Sequence, residues 1–263
     1  MKDQKRLFFG FEVKAPWPQG LPKGRILKED HRHITIAFLG ETSYEKVMGL
    51  INEIPKPSFQ IGTVGFFDAN LFLPERHPRV VAWRGSPLGN DFLSPYSDTL
   101  TDFFRSNEYS IQKRPFLNHT TIARSPFDRD EWEKSFRFIP YMTGDLHLYE
   151  SVGNLNYKPI WSYPIPYPFE EFEHVADIAF RIRGEDVKQL YYHAQIALAF
   201  ECPDLVPYLD RNGDVQSLEE IIMKLNEIVT HGDREVGTPF KAVSYHGDVK
   251  KETFLTWEMI VDV

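Results

Sequence analysis

Residues 33–37 read His-Ile-Thr-Ile-Ala and residues 119–123 read His-Thr-Thr-Ile-Ala, so the pattern H-x-T-I-A occurs twice, although 86 positions separate the two histidines. In a β-strand, residues i and i+2 point to the same face. Each stretch therefore predicts a strand that presents one imidazole and one hydroxyl on a common surface. On the first strand, Ile34, Ile36 and Phe38 should face the other way, into a core. If the two strands lie side by side, the cleft between them holds His33, Thr35, His119 and Thr121.

A single H-x-T on a strand is most often only part of a polar face. Its repetition, followed both times by Ile-Ala, favours a functional interpretation in which the two stretches are halves of one active site. His31 and His33 also have a spacing open to a zinc ligand pair. No cysteine or carboxylate cluster completes such a site in the sequence, so zinc is the less favoured alternative.

Composition indicates an ordinary soluble globular protein. The 263 residues are 42% hydrophobic, and the length suggests one large domain or two smaller ones. No apolar run approaches the roughly 18 residues of a membrane helix, and the basic start of the chain lacks the apolar segment of a signal peptide. The single Cys202 cannot form an internal disulfide, which fits a reducing compartment. We therefore expect a cytoplasmic protein that does not associate with a membrane.

Charge divides the chain into two modules. Residues 1–168 contain 21 Lys and Arg against 19 Asp and Glu, a net charge of +2, whereas residues 169–263 contain 9 against 19, a net charge of −10. The break coincides with Tyr-Pro-Ile-Pro-Tyr-Pro-Phe at 163–169, and alternate prolines favour an extended connector. We place the boundary after Pro168 and expect the two modules to have different partners.

Both motif strands of the first module have similar surroundings. The predicted elements, besides the motif strands, are strands at 6–13, 59–67 and 80–83 and helices over 42–54 and around 100–104. Thr42 and Glu45 have capping-box spacing at the start of the first helix. Two similar sets of strands with one helix each predict an α+β fold with two related lobes.

These residues resemble the two-histidine phosphoesterases, and most closely the branch of RNA 2′,3′-cyclic phosphodiesterases once called 2′-5′ RNA ligases. The resemblance covers about residues 5–165. Its stretches, in the expected order, are R-L-F-F-G-F-E at 6–12, H-I-T-I-A-F-L-G at 33–40, H-T-T-I-A-R at 119–124 and L-H-L-Y-E-S at 146–151. It implies a bilobal α+β fold with a cleft between two pseudo-symmetric sheets.

The chemistry of this family suits the motif side chains. Opening a cyclic phosphodiester needs one group that takes a proton from water and another that gives one to the departing ribose oxygen. Two imidazoles, with an ordinary pKa near 6.5, can share these roles at neutral pH without a metal or other cofactor. Threonine hydroxyls can donate hydrogen bonds to the non-bridging oxygens. The resemblance implies that His33 is the general acid and His119 the general base, with a 2′-phosphate product; spacing alone leaves this assignment open.

Arg124 matches the family's H-x-T-x-A-R pattern, and a guanidinium suits phosphate. Strict strand alternation points its side chain away from His119, so that it reaches the cleft only if the strand ends or twists after Ala123. From the sequence, phosphate contact and an ordinary surface ion pair both stay open.

The second module also predicts α+β structure. The predicted elements are strands at 178–183, 240–245 and 254–263 and helices over 185–201 and from about residue 218 onward. Ser217 and Glu220 form a capping box at the start of the second helix.

This module resembles archease, a small protein that activates the GTP-dependent RNA-splicing ligase. The matching stretches are E-H-V-A-D-I at 173–178, F-K-A-V-S-Y-H-G at 240–247 and V-D-V at 261–263. The module is shorter than typical archeases. The resemblance implies that Asp177, Asp262 and Val263 hold a metal ion, for which oxygen ligands favour calcium or magnesium, and that Lys241 acts toward the ligase. The alternative is that these are solvated acids and a surface lysine.

The favoured function is twofold. The first module hydrolyses RNA 2′,3′-cyclic phosphate ends, and the small α+β archease-like module assists a GTP-dependent RNA-splicing ligase in tRNA splicing or RNA repair. One alternative is a non-catalytic binder of RNA ends joined to a ligase-activating module. Another is a cyclic phosphodiesterase for a small nucleotide, because a charge of +2 is weak for binding RNA through many phosphates.

Overall fold

The computed structural model describes residues 3–112, 114–174 and 177–263, so that Val175 and Ala176 of the E-H-V-A-D-I stretch lie outside the described residues. Within these ranges strands and helices are mixed, as predicted. The strands are β1 (Gln4–Lys14), β2 (Arg25–Ile26), β3 (His33–Ser43), β4 (Val64–Leu73), β5 (Val80–Pro87), β6 (His119–Arg124), β7 (Ile139–Gly153), β8 (Asn156–Tyr163), β9 (Phe169–Phe172), β10 (Ile178–Gly184), β11 (Ala242–Lys251) and β12 (Leu255–Asp262). The α-helices are α1 (Tyr44–Leu50), α2 (Leu93–Ser106), α3 (Arg129–Ser135), α4 (Val187–Glu201) and α5 (Leu218–Val236). In the described part of the chain, no helix is both long and apolar enough to cross a membrane.

Strands β1 to β8 form one sheet whose pairing closes into a ring. The order is β1-β3-β6-β5-β4-β7, and β7 pairs again with β1. Strand β7 closes the ring because it is 15 residues long, so that its first part pairs with β4 and its later part with β1 and β8. Two strand arrays, β8-β7-β1-β3 and β7-β4-β5-β6, therefore share β7 and meet again where β3 pairs with β6.

The two motif strands meet at one residue pair. Ile34 of β3 pairs in antiparallel with Thr120 of β6, and each is the residue that follows a motif histidine. Adjacent strands lie about 4.8 Å apart. The structure thus places the motif strands side by side, with His33 and His119 on neighbouring strands.

Alternation along β1 separates the main core from the cleft. Every second residue from Leu7 to Val13 is buried in the main core. The residues between them, Phe8, Gly10 and Glu12, face the other side, where Phe8 and Gly10 lie against the His33 ring. Strand β1 therefore forms the floor of the cleft beside β3.

Residues 169–263 form a second sheet of order β11-β12-β10-β9, together with α4 and α5. Helix α4 is buried from Leu190 to Ala199 without interruption, as expected of a helix that is packed on all sides. It contacts β10 and β12 of this sheet as well as β4 and β7 of the first. The second core therefore includes side chains that precede residue 168, namely Val64, Phe66, Leu88 and Met142.

Strand β4 is consequently apolar on both faces. Phe67 lies in the main core and Phe66 in the second core. The Arg211 guanidinium lies 4.5 Å from the centroid of the Phe66 ring. Tyr192 packs so closely against Gly89 that a Cβ at that glycine would lie 2.6 Å from the tyrosine ring. The positively and negatively charged parts of the chain thus share an apolar interface.

Two helix starts test the predicted capping boxes. Ser217 caps α5 as predicted, because its hydroxyl accepts from the Glu220 N–H at 3.3 Å. The helix predicted over 42–54 begins two residues later, at Tyr44, and ends at Leu50, and its cap is Ser43, whose hydroxyl accepts from the Lys46 N–H at 3.2 Å. Thr42 stays in β3 because that strand pairs with β1 to its end.

Candidate active site

The imidazole of His33 is buried in an aromatic pocket. The residue is 8% exposed. The ring centroids of Phe8, Tyr149 and Tyr157 lie 4.7, 5.2 and 4.9 Å from its own. Phe8 and Tyr149 are tilted against the imidazole, and Tyr157 meets it edge-on. Aromatic groups on β1, β7 and β8 therefore fix the orientation of a ring that β3 supplies.

His119 is partly buried on β6 and is held in the same way as His33. The Nδ1 atom of His33 lies 2.7 Å from the carbonyl oxygen of His31, and the Nδ1 atom of His119 lies 2.7 Å from that of Leu117. Each contact joins a motif histidine to the residue two positions before it. Because a carbonyl oxygen only accepts, Nδ1 carries the proton in both rings. Nε2 is therefore the nitrogen left to act on a substrate in both histidines.

Both motif strands contain a β-bulge at the motif isoleucine. On β3, Thr35 and Ala37 pair with consecutive residues of β1, so the isoleucine between them is extra. On β6, Thr121 and Ala123 pair with consecutive residues of β5. The isoleucine and alanine of each motif are buried, whereas both threonines are partly exposed. A bulge shifts the side-chain alternation by one residue, so the residue after each alanine returns to the face of the threonine.

The bulges bring Phe38 and Arg124, at equivalent positions after the two motifs, to the cleft. Phe38 is 46% exposed, its ring centroid lies 6.4 Å from that of Phe8, and the Arg6 guanidinium lies 5.1 Å from it. Arg124 is close enough to His33 for its positive charge to lower the pKa of the imidazole. The prediction that Phe38 faces a core is therefore wrong, because strict alternation fails after the bulge on β3. It fails for Arg124 for the same reason, because a bulge on β6 precedes that residue.

Burial makes His33 hard to protonate. Removal from water is the main cause that lowers its pKa from 6.5 to about 4. The hydrogen bond to the His31 carbonyl opposes this change, while the positive charges of His119, His31 and Arg124 add to it. His33 is therefore neutral at pH 7 in the unliganded protein. A phosphate anion beside the ring would raise this pKa, because an opposite charge favours the protonated form.

A cavity of about 720 Å³ opens beside His119 and Thr35. Thr35 and Phe38 of β3 and His119 of β6 line one side, and Arg114 and Phe116 are among the residues that line the other. Pockets of this size accept ligands as large as a nucleotide. The cavity combines a cation, aromatic rings, a hydroxyl and an imidazole, which are the groups that a phosphate joined to a nucleoside requires.

Three of the residues singled out in the second module, Lys241, Asp262 and Val263, meet at the end of β12. The Lys241 ammonium lies 2.5 Å from the Val263 carbonyl oxygen and 3.8 Å from Asp262 Oδ1. Asp177 lies just before β10, and its carboxylate is 3.5 Å from His174 Nδ1. The lysine cation thus lies beside the carboxylate for which a metal was predicted. Among the residues that the structure describes, neither Asp177 nor Asp262 belongs to a group of three His, Cys, Asp or Glu side chains close enough to hold one metal ion.

Sequence reasoning missed the groups that hold His33. Alternation along the opening strand places Phe8 and Gly10 on the face away from the core. This alternation is the only feature of the local sequence that could have indicated them as neighbours of the cleft. Their contact with His33 depends on the register between β1 and β3, and Tyr149 and Tyr157 come from strands more than 100 positions away. No local pattern specifies either relationship.

No protein-family model matches the sequence. A curated RNA 2′,3′-cyclic phosphodiesterase of Thermotoga maritima is 28% identical over 120 residues, which are 44% of this chain and 61% of that protein. A curated RNA 2′,3′-cyclic phosphodiesterase of Escherichia coli is 26% identical over 176 residues, which are 61% of this chain and 96% of that protein. The match thus spans about three fifths of the first relative and nearly all of the second. Over about three fifths of its length, this chain is homologous to RNA 2′,3′-cyclic phosphodiesterases.

Two solved structures are also similar to this chain. E. coli LigT complexed with 3′-AMP is 22% identical, with a TM-score of 0.45, and the match covers 62% of this chain and 99% of LigT. The protein TT0787 of Thermus thermophilus is 15% identical, with a TM-score of 0.45, and the match covers 61% of this chain and 97% of TT0787.

Proposed function

We propose that the first module hydrolyses the 2′,3′-cyclic phosphodiester ends of RNA to 2′-phosphates. One observation carries the proposal: two motif histidines on paired strands have the same tautomer, fixed by the same backbone contact, which leaves Nε2 of each ring as the nitrogen for proton transfer. General acid–base catalysis needs two such groups. Homology to two curated RNA 2′,3′-cyclic phosphodiesterases supports the same reaction.

The reaction assigns a role to each side chain of the cleft. His119 Nε2 takes a proton from a water molecule as its oxygen attacks phosphorus. The bond from phosphorus to the 3′-oxygen breaks, and His33 Nε2 gives that oxygen a proton, which leaves a 2′-phosphate and a 3′-hydroxyl. Thr35, Thr121 and Arg124 donate hydrogen bonds to the non-bridging oxygens, where negative charge develops. The mechanism needs no metal ion.

The acid role of His33 depends on the substrate. With a pKa of about 4, the unliganded ring is neutral at pH 7. The phosphate anion of a bound substrate raises the pKa of His33, because it offsets the positive charges of His119, His31 and Arg124 that lower this pKa. We therefore expect His33 to be charged only when a substrate phosphate lies beside it, and its proton then goes to the departing 3′-oxygen.

The test is hydrolysis of an oligonucleotide that ends in a 2′,3′-cyclic phosphate. We expect His33→Ala and His119→Ala each to lower kcat by about 10²- to 10⁴-fold, the usual contribution of a general acid or base. His77→Ala, at an exposed histidine of the same module, is the matched control and should retain full activity. Equal activity of all four proteins would refute the catalytic proposal, and inactivity of all four would favour the non-catalytic RNA-end binder.

A small cyclic nucleotide is the second candidate substrate, favoured by the net charge of only +2 over residues 1–168. Binding through many phosphates weakens steeply with salt, whereas binding of one phosphate does not. Turnover of an oligonucleotide and of a cyclic mononucleotide should be compared over a range of salt concentrations. If kcat/KM and its salt dependence are the same for both substrates, the protein recognises only the cyclic mononucleotide part, and the small nucleotide is the favoured substrate.

For the second module, we propose an archease-like role that assists a GTP-dependent RNA-splicing ligase in tRNA splicing or RNA repair, in the cytoplasm. The meeting of Lys241, Asp262 and Val263 at the end of β12, next to Asp177, supports the proposal.

Calcium or magnesium would compete with the Lys241 ammonium for Asp262. We expect calcium to raise the Tm of the full chain and Asp177→Ala and Asp262→Ala to abolish the rise. Absence of a shift with either ion would remove the metal from this proposal.

A further inference from the structure

A second group of polar side chains lies on the cleft face of β1 and β7, outside the proposed catalytic set. Glu12 comes from β1, and Asp145 and His147 come from β7. One atom from each residue, two carboxylate oxygens and one imidazole nitrogen, lies within 4.8 Å of the other two. All three side chains are partly exposed, so the group is open to solvent.

Other contacts hold the far side of each of these side chains. His147 Nδ1 lies 2.7 Å from the Ser162 hydroxyl, and Asp145 Oδ1 accepts from the Ile165 N–H at 2.9 Å. Glu12 Oε1 accepts from the Asp145 N–H at 3.3 Å and from the Tyr167 hydroxyl. Metal-binding histidines and carboxylates are typically oriented by such outer contacts.

On the near side of the group, Glu12 and His147 face each other as an ion pair rather than through a direct hydrogen bond. Glu12 Oε2 and His147 Nε2 are 3.9 Å apart, which is too far for one. Zinc bonds of about 2.0–2.2 Å place two ligand atoms of a tetrahedral site about 3.3–3.6 Å apart. A contraction of a few tenths of an ångström would therefore bring both atoms to one ion.

We propose that Glu12, Asp145 and His147 bind a divalent transition-metal ion, with zinc as the first candidate. Two carboxylates with one imidazole form a donor set that suits zinc or manganese better than calcium, because calcium takes oxygen ligands almost exclusively. Three protein ligands leave a coordination position for water. This site is separate from the proposed metal-free chemistry and does not depend on it.

The ion would join the cleft to the connector between the modules. Ser162 lies at the end of β8, Ile165 and Tyr167 belong to the connector, and all three hold proposed ligands. On the other side, the Tyr149 ring contacts both His147 and His33, with centroid distances of 5.1 and 5.2 Å. Bound zinc would thus stabilise β1, β7, β8 and the connector as one unit.

Calorimetric titration of the full, tag-free chain with zinc chloride tests the site, with the Tm measured in parallel. We expect one zinc ion per chain and a raised Tm. His147→Asn and Asp145→Asn retain polar groups for their outer contacts and should each weaken zinc binding by about tenfold or more. His174→Asn is the matched control, since His174 also lies beside a carboxylate but without a third ligand in the described residues, and its affinity should not change.

A measurement on the unmodified protein does not depend on how the variants fold. Zinc should shift the Nε2 resonance of His147 and leave that of His174 in place. No binding at millimolar zinc, equal affinity in all four proteins, or a His147 resonance that does not move would each overturn the proposal.

Discussion

The imidazole of His33 lies across Gly10, its neighbour on β1. A Cβ at Gly10 would lie 3.5 Å from His33 Cδ2 and 2.9 Å from the carbonyl oxygen of Ile34. The second distance is shorter than real Cβ contacts, so even alanine would displace β3 from β1. The missing side chain of Gly10 therefore determines where the proposed acid of the reaction lies.

We accordingly expect Gly10→Ala to lower kcat for the cyclic phosphate by roughly 10²-fold, because a displacement of about 1 Å at a reacting group has an effect of this size. KM should change less, because Arg124 and His119 come from β6. Gly49→Ala is the matched control, since a Cβ at Gly49 meets nothing within 4 Å. Steady-state kinetics of both variants checks this, and an active Gly10→Ala protein would contradict the proposed geometry.

The acid role of His33 predicts rescue by a better leaving group. A substrate with sulfur in place of the 3′-oxygen releases a thiolate, which needs little help from an acid. On that substrate His33→Ala should come within about tenfold of the unmodified protein, while His119→Ala should stay impaired by about 10²-fold or more. The opposite pattern would exchange the two roles.

Arg124 should contribute to phosphate binding, because the bulge on β6 returns its side chain to the face of Thr121. We expect Arg124→Gln to lower kcat/KM by on the order of 10- to 100-fold, the loss of a charge-assisted hydrogen bond. Arg129→Gln is the control, because Arg129 is exposed and pairs with Glu133 on α3. An Arg124→Gln protein as active as the control would place Arg124 in an ordinary surface ion pair.

Acid should destabilise the fold through His193, a histidine outside the candidate site. Burial lowers the pKa of His193 from 6.5 to about 4, against the raising influence of the Arg183 carbonyl. The unfolded chain therefore binds a proton that the folded chain does not as the pH falls from 6.5 to 4, and over this interval His193 removes about 3 kcal/mol from the free energy of unfolding.

His193→Gln should accordingly lose less stability than the unmodified protein between pH 6.5 and pH 4, as measured by urea unfolding at each pH. His231→Gln serves as control, because His231 is exposed and should leave the pH dependence unchanged. Parallel pH profiles for the unmodified protein and His193→Gln would contradict a buried neutral histidine.

The sequence predicts most of what local pattern determines. Period-2 alternation places His33 with Thr35 on one face, and the Ser217 cap follows from its spacing to Glu220. The direction of the Arg124 side chain could not be predicted, because the bulge on β6 depends on pairing with β5. The sequence of β6 alone does not specify that pairing. The proximity of Glu12 and His147 could not be predicted for a similar reason. These residues are 135 positions apart in the sequence, and the pairing of β1 with β7 brings them together.

The two-sided burial of β4 has a consequence for the order of synthesis. Phe66 and Met142 leave the ribosome before the helix that covers them, α4, which begins at Val187. Domains of a nascent chain generally fold from the N-terminus, and apolar surface that is exposed in the meantime promotes aggregation. The first sheet therefore forms with an uncovered apolar face, and a chain that stalls before α4 becomes a substrate for chaperones.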